Sequence, residues 1–445
     1  MTTLIRKIFF LFVLALSLLS AAWAESPIVL IHGSVGMGHT AAANGIRDDL
    51  KARYPGVEVI EIDLREFMNP ITKGPSNLAY DFVTQKFPNF YDEIFRDYMS
   101  VGREVESIGD MPTMSQFRPK LVLKRLQEIH PQLIVSTFPG ATEVLIHLRD
   151  EGYFRNIPIG WVHTDLVDET YFARMPMQVD MAFVATPEIR DSWIKRGVPA
   201  DRVMATGMPL NPKVFNTVSD ADLENFKLAK NLDPTAKTIL LSGGSNGVGN
   251  FPLMVKAIFN AFPNEKVQVV AICGRNVGHI KNLGELAKKL PANQTIFIEP
   301  LVKQDELFNY MRVSDAIISK TGGLTPMELF YRKKPLVLLD INGGQEKYNA
   351  DFFSKVGLAR VLTDQSKVGA ELHSLLANKE NASKLVDRQL QFCGEQCPTR
   401  IADWIMSKPH ALKALDGKTL DMSPDYQQPG GIFWKCVRAL RKFAL

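Results

Sequence analysis

The chain has 445 residues, 46% of them hydrophobic and 22% charged. That is ordinary globular composition with enough chain for two or three cores, and it excludes disorder, collagen and coiled coil for the bulk of the molecule. Fifty-two Lys and Arg against 48 Asp and Glu leave a net charge of +4, and Lys435, Arg438, Arg441 and Lys442 equal that excess, so the body is neutral and carries no signature of a nucleic-acid binder.

In chain order, Arg6 and Lys7 precede an uncharged run over 8–24 that ends on the A-x-A pattern Ala22-Trp23-Ala24. Residues 1–24 read as an export signal, with an uncleaved membrane anchor as the alternative because a spanning helix needs about 20 residues. Positive charge ahead of the run directs the body to the periplasmic or extracytoplasmic side. Over 26–216, short Val- and Ile-rich runs at 27–32, 57–62, 133–136, 157–162, 181–185 and 203–205 alternate with helical stretches, the pattern of a parallel sheet buried on both faces. Between Asn69 and Asp110 that rhythm breaks. Tyr80, Phe82, Phe87, Phe90, Tyr91, Phe95 and Tyr98 crowd into nineteen residues, either as cover for the adjoining core or as a lid for an apolar acceptor.

A polar linker is expected over 217–236, and Asp220-Ala221-Asp222 within it reads as solvated surface rather than a metal site. A second α/β series, with runs at 238–241, 267–272, 295–298, 316–318 and 335–339, fills 237–382. The fold class is therefore α/β, with two doubly wound, Rossmann-like domains. A closing helical stretch is expected over 383–410, where Cys393 and Cys397 read as small buried apolar side chains, and a tail over 411–445. In that tail Phe433, Val437, Leu440 and Phe443 or Leu445 recur at helical spacing among four cations. A basic amphipathic helix of this kind lies on an anionic membrane surface or docks on the body. The four cysteines are too few for a disulfide framework or a zinc module, so no metal is indicated.

Two glycine turns carry candidate chemistry. After the first run comes Gly33-Ser34-Val35-Gly36-Met37-Gly38-His39-Thr40-Ala41, a strand–turn–helix that presents backbone N–H groups to a ligand. As a phosphate loop it fails, because His39 stands where a lysine must reach the phosphates. As a dinucleotide fingerprint it fits, with Asp63 at the distance of the ribose-binding acid, and that reading stays open. His39, in a turn with little core around it, is a candidate base or hydrogen-bond donor. The second turn, Gly243-Gly244-Ser245-Asn246-Gly247, matches the G-x-S-x-G of a nucleophile elbow, with Ser245 as nucleophile and His279, His373 or His410 as base. The roughly 200 residues between the two turns speak against that hydrolase topology.

Residues 319–349 read SKTGGLTPMELFYRKKPLVLLDINGGQEKYN. Gly322 and Gly323 make a tight turn, Thr325 is placed to cap a helix with Pro326 at its first position, and Glu328 lies one turn in, suited to ribose hydroxyls. Gln345 and Glu346 follow another strand and a Gly-Gly turn, placing an amide and a carboxylate where sugar hydroxyls would bind.

Taken together, these motifs resemble glycosyltransferase family 28 of the GT-B type, closest to bacterial diacylglycerol glucosyltransferases and monogalactosyldiacylglycerol synthases. The family's G-x-G-H is Gly36 to His39, its K-P-G-G-x-T-x-x-E is Lys320 to Glu328, and its P-G-Q-E-x-x-N is Gly343 to Asn349. Its T-D pair is Thr164-Asp165, its T-G-x-P is Thr206 to Pro209, its second-domain glycine loop is Gly243 to Ser245 and its C-G-x-N is Cys273 to Asn276. The resemblance implies two Rossmann-like domains facing a central cleft, a UDP-sugar donor held by the second domain and a membrane lipid acceptor held by the first. Inversion at the anomeric carbon in one displacement is implied, with no metal and no cofactor. It implies donor roles for Gly243, Gly244, Ser245, Gly274, Asn276, Thr321, Gly322, Gly323, Leu324, Thr325, Glu328, Gln345, Glu346 and Asn349. Gly36, Gly38 and Thr164 would face the acceptor. Plant-type members carry an Asp just before the first glycine turn where Ser34 or Val35 stands here, so His39 is the first candidate base and Asp165 the second. A non-catalytic lipid or glycan binder on the same scaffold is the alternative. The export signal departs from the family, whose nucleotide-sugar donors are made in the cytosol.

Overall fold

A computed structural model describes residues 26–34, 37–69, 93, 116–166, 168, 175–341, 343–395 and 400–407. Residues 1–24, expected as an export signal, nearly all of the aromatic stretch, Val35, Gly36, Cys397, His410 and the basic C-terminal segment lie outside the described residues. Among the described residues no helix is long and apolar enough to cross a membrane.

The first unit runs β1 (Ile28–His32), α1 (Gly38–Arg53), β2 (Val59–Asp63), α2 (Pro119–Ile129), β3 (Leu133–Ser136), α3 (Pro139–Asp150), β4 (Ile159–Val162), α4 (Met175–Gln178), β5 (Met181–Val184), α5 (Pro187–Lys195) and β6 (Val203–Ala205). Its strands pair in parallel in the order β2-β1-β3-β4-β5-β6. The inner strands β1, β3, β4 and β5 are buried at every position, which is why they read as unbroken apolar runs rather than alternating ones.

The second unit runs α6 (Asp220–Ala229), β7 (Lys237–Ser242), α7 (Phe251–Ala261), β8 (Val267–Ile272), α8 (Val277–Ala287), β9 (Gln294–Glu299), α9 (Gln304–Val313), β10 (Ala316–Lys320), α10 (Leu324–Phe330), β11 (Leu336–Leu339), α11 (Gln345–Val356), β12 (Arg360–Leu362), α12 (Val368–Ala377) and α13 (Lys379–Gly394). Its strand order, β12-β11-β10-β7-β8-β9, is the nucleotide-binding order 3-2-1-4-5-6 read from the far edge. Within 217–236, the stretch expected as a polar linker, α6 is capped by Ser219, carries Asp220 and Asp222 exposed in its first turn, where carboxylates complement the helix dipole, and lays Phe226 edge-on against Tyr310. The strand β12 went unread because three residues led by an exposed Arg360 carry no apolar run.

The closing stretch divides into α13 and a separate helix, α14 (Arg400–Met406). That helix returns to the first unit. Ile401, Ala402 and Ile405 join a buried cluster with Ile28, Leu30, Ile46, Leu50 and Phe183, and Trp404 meets the Phe183 ring at 5.4 Å. A Cβ on Gly160 would lie 3.1 Å from Trp404, so β4 passes close beneath the indole. Asp403 accepts from Tyr54 at 3.1 Å and pairs with Arg53. The second unit is thus clasped to the first by the helix that follows α13. Because Ile401 is 1% exposed, Ile401→Ala is expected to lower unfolding free energy by about 2–5 kcal/mol, read as a shift in urea midpoint.

Candidate active site

Open parallel sheets bind ligands beyond the carboxyl ends of their strands, where neighbouring connections diverge to opposite faces. In the first unit that point lies between β1 and β3, and in the second between β7 and β10. The loops leaving those four strands carry Gly33, Ser34 and Met37 to His39, then Thr137 and Phe138, the glycine loop from Gly243, and Lys320 to Gly323. They face one another, and α1 packs on α10 across the cleft.

On the first side, His39 Nδ1 lies 2.7 Å from the carbonyl oxygen of Thr137 and 3.1 Å from the Thr164 hydroxyl. A carbonyl only accepts, so the ring proton resides on Nδ1 and the lone pair on Nε2. The Thr137 hydroxyl donates back to the His39 carbonyl at 2.8 Å, and Phe138 stands edge-on to the ring at 5.1 Å. Burial pushes the imidazole below its ordinary pKa, with the Asp165 charge opposing. The half-buried ring is therefore neutral at neutral pH, the state a base requires. Gly38 leaves open space where a side chain would stand, and the first turn of α1 has no side-chain cap.

Two competing readings lose their geometry. Asp63 accepts from the backbone N–H groups of Ser34 and Arg65, while Arg65 donates to the Ser34 carbonyl at 2.7 Å. The carboxylate that a dinucleotide fingerprint needs braces the turn itself through Oδ1. In the second unit His279 donates through Nε2 to the Gly247 carbonyl at 3.0 Å and stacks on Phe251, while His373 lies against Phe262. Neither is placed as a base for Ser245, and the third candidate, His410, lies outside the described residues.

On the second side, the loops after β7 and β8 are knitted together. A Cβ on Gly274 would lie 2.4 Å from the Ser245 carbonyl, and one on Gly243 2.4 Å from that of Val248, so only glycine fits. Asn276 accepts from the His279 N–H and donates to the Gly247 carbonyl, which gives this expected donor residue a loop-bracing position. The loop after β10 differs from expectation in one respect. The helix starts at Leu324 with Gly323 before it and no side-chain cap, so Thr325 and Pro326 sit inside the first turn rather than at the cap and first position. Pro326 is tolerated there because the opening N–H groups of a helix have no partner within it.

Lys320, to which the sequence reading gave no role, lies between the two glycine turns. A Cβ on Gly244 would come within 2.8 Å of its Cε and one on Gly322 within 3.4 Å of its Nζ. Its ammonium pairs with Glu346 at the start of α11, beside Gln345. Thr321 is fully buried. Glu328 is 4% exposed and accepts from Gln304 Nε2 at 3.1 Å. Burial pushes it up to about 7, against the pull of the Gln304 donor and the nearby Arg332. Asn349, expected at the donor, is fully buried and spends its amide on the other unit: it donates to Asp165 Oδ1 at 3.1 Å and accepts from the Leu166 N–H at 3.0 Å. Asp165, the second candidate base, is thereby engaged by an amide donor. Among the described residues no group of His, Cys, Asp and Glu is placed to hold a metal ion.

Residues 39–210 match the monogalactosyldiacylglycerol synthase family, and residues 238–391 match the glycosyltransferase family 28 C-terminal domain. A processive diacylglycerol beta-glucosyltransferase of Staphylococcus saprophyticus is 30% identical over 337 residues, 75% of this chain and 80% of the relative. The like-named protein of Staphylococcus carnosus is 29% identical over 374 residues, 84% and 90% of the two chains. Among solved structures, Acinetobacter baumannii MurG superposes with a TM-score of 0.51 at 16% identity, covering 86% of this chain and 99% of its own, a likeness of fold.

The burial of Glu328 makes a testable statement about stability. Unfolded, this carboxyl ionises near its ordinary 4.5; folded, near 7, so the native state holds the proton longer and loses stability as pH rises from 4.5 to 7. Glu328→Gln removes that loss. It is expected to stabilise the chain by on the order of 3 kcal/mol at pH 8 and by little at pH 4.5, read by denaturant melts at both pH values.

Proposed function

This chain belongs to glycosyltransferase family 28, in the branch of the monogalactosyldiacylglycerol synthases and diacylglycerol glucosyltransferases, and from that premise we propose that it transfers a hexose from a UDP-sugar to the hydroxyl of a diacylglycerol-type lipid at a membrane surface. The observation that carries the reading is the opposition, across one cleft, of a neutral His39 and the two glycine turns that flank Lys320, with Glu328 beside them on α10. The names of the relatives supply the acceptor class.

In this reading the Glu328 carboxylate accepts from the ribose hydroxyls, and Gln345 with Glu346 holds the sugar. The diphosphate lies along the two glycine turns, where Lys320 exchanges its contact with Glu346 for a phosphate oxygen. The acceptor hydroxyl gives its proton to His39 Nε2, and its oxygen attacks the anomeric carbon. The bond from that carbon to the diphosphate oxygen breaks, and its electron pair leaves with UDP. Backbone N–H groups and the Lys320 ammonium stabilise the charge that develops there, which is the work a metal does in other transferases. One displacement from the opposite face inverts the anomeric centre. The basic segment 430–445 provides an anionic-membrane contact and the run 8–24 a second one, which together would keep the cleft near its acceptor.

Glu328→Ala is expected to abolish transfer of labelled sugar from UDP-glucose or UDP-galactose to diacylglycerol in mixed micelles. His39→Ala is expected to lower kcat by about 10²–10⁴-fold with UDP binding retained. Undiminished transfer by Glu328→Ala, or lipid binding by the wild-type chain with no UDP released from either donor, would refute the assignment in favour of a lipid or glycan binder.

A further inference from the structure

Glu328 stands at the end of a hydrogen-bonded chain that begins in the other unit. Asn211, in the loop after β6, donates through Nδ2 to Asp48 Oδ2 on α1 and to Gln304 Oε1, each at 3.1 Å, and Gln304 Nε2 donates to Glu328 Oε1 at the same distance. The polarity of the chain has one solution. The Lys213 backbone N–H, which only donates, lies 3.0 Å from Asn211 Oδ1 and fixes that amide with its NH2 toward Asp48 and Gln304. Gln304 must then present its oxygen to Asn211 and its NH2 to the carboxylate. Asn211 is 6% and Glu328 4% exposed, so the two ends of the Gln304 bridge are buried, while Gln304 and Asp48 themselves are half-buried.

We propose that Gln304 is a positioning residue for Glu328 in donor binding, and that Asn211 extends this control to α1, so that the ribose site is competent only while the two units are docked. The inference rests on the reading of Glu328 as the ribose ligand. Helix α1 opens with His39 on its first turn, so the chain joins the helix of the acceptor side to the carboxylate of the donor side. The charged groups around Glu328 are few. Arg332 follows it by one turn with its guanidinium 5.2 Å from the Phe308 ring on α9; Arg312, also on α9, acts on Arg332; and Asp48 lies at the far end of the chain, paired with Arg47.

The test is UDP binding by calorimetry to the full-length chain over pH 6 to 9, with donor KM and kcat measured alongside. Wild type is expected to bind UDP with affinity that falls as Glu328 takes up its proton near pH 7. Gln304→Met keeps the length of the side chain and removes the donor. It should weaken UDP about tenfold or more, burden KM more than kcat, and move the midpoint of the affinity profile to higher pH, because the lost donor favoured the ionised carboxylate. Gln304→Glu, which keeps the shape and sets a second carboxylate against the first, should raise the midpoint further. Asn211→Leu should act in the same direction, and adding it to Gln304→Met should bring little more. Unchanged affinity and midpoint in Gln304→Met and Gln304→Glu, with wild type binding normally, overturn the positioning role alone. A wild-type chain that binds no UDP at any pH removes the donor reading first, and this inference with it.

Discussion

The close approach of the loop after β10 to the end of the first sheet governs the rest of this molecule. A Cβ on Gly323 would lie 2.1 Å from the Thr164 carbonyl, so backbone meets backbone there. Thr164 in turn touches His39, and Asn349 crosses from α11 to hold Asp165 and Leu166 beside it. With α1 packed on α10 and α14 clasped over the first sheet, the two switch points are held face to face. A single apolar cluster runs through both units, including Leu166, Met208 and Leu210 from the first and Leu324 and Met327 from the second. The cleft is thus the polar rim of a shared core, and its geometry is set by packing rather than by a flexible tether.

That placement explains the electrostatics. Two titratable groups, His39 and Glu328, sit where burial disfavours their charged forms. For the imidazole the result is a neutral ring. For the carboxylate it is a stored penalty that donors can relieve, Gln304 among the protein's own and ribose hydroxyls in the proposed complex. Lys320 and Glu346 balance each other between the glycine turns, so an anion entering that space displaces a carboxylate from an ammonium already in position. In the proposed function that cost to stability falls on one residue of α10.

The geometry also separates this cleft from the two chemistries its glycine turns imitate. A dinucleotide site would turn Asp63 to ribose, and here its Oδ1 is held by the backbone N–H groups of Ser34 and Arg65. A nucleophile elbow would need a histidine beside Ser245, and His279 is committed to Gly247. In both cases the motif is present and its partner is used to brace a loop.

What the sequence by itself determined is local or periodic. Strands buried on both faces appear as short apolar runs, so eleven of the twelve could be placed from residue type, and the twelfth, β12, escaped because it is short and half-polar. The glycine turns, His39 and Glu328 were legible because each stands at a fixed offset from a strand end. The partners were not. Asn349 and Asp165 are 184 residues apart, Asn211 and Gln304 93, His39 and Thr137 98, and no periodicity links positions so distant. Asn349 and Asn276 read as donor ligands by motif, yet the fold turns their amides to a neighbouring unit and a neighbouring loop. Only the docking of the two sheets decided which polar groups face the cleft and which hold it together. Hydrogen-bond partners are chosen by proximity in three dimensions, whereas the apolar pattern that builds the strands is written along one.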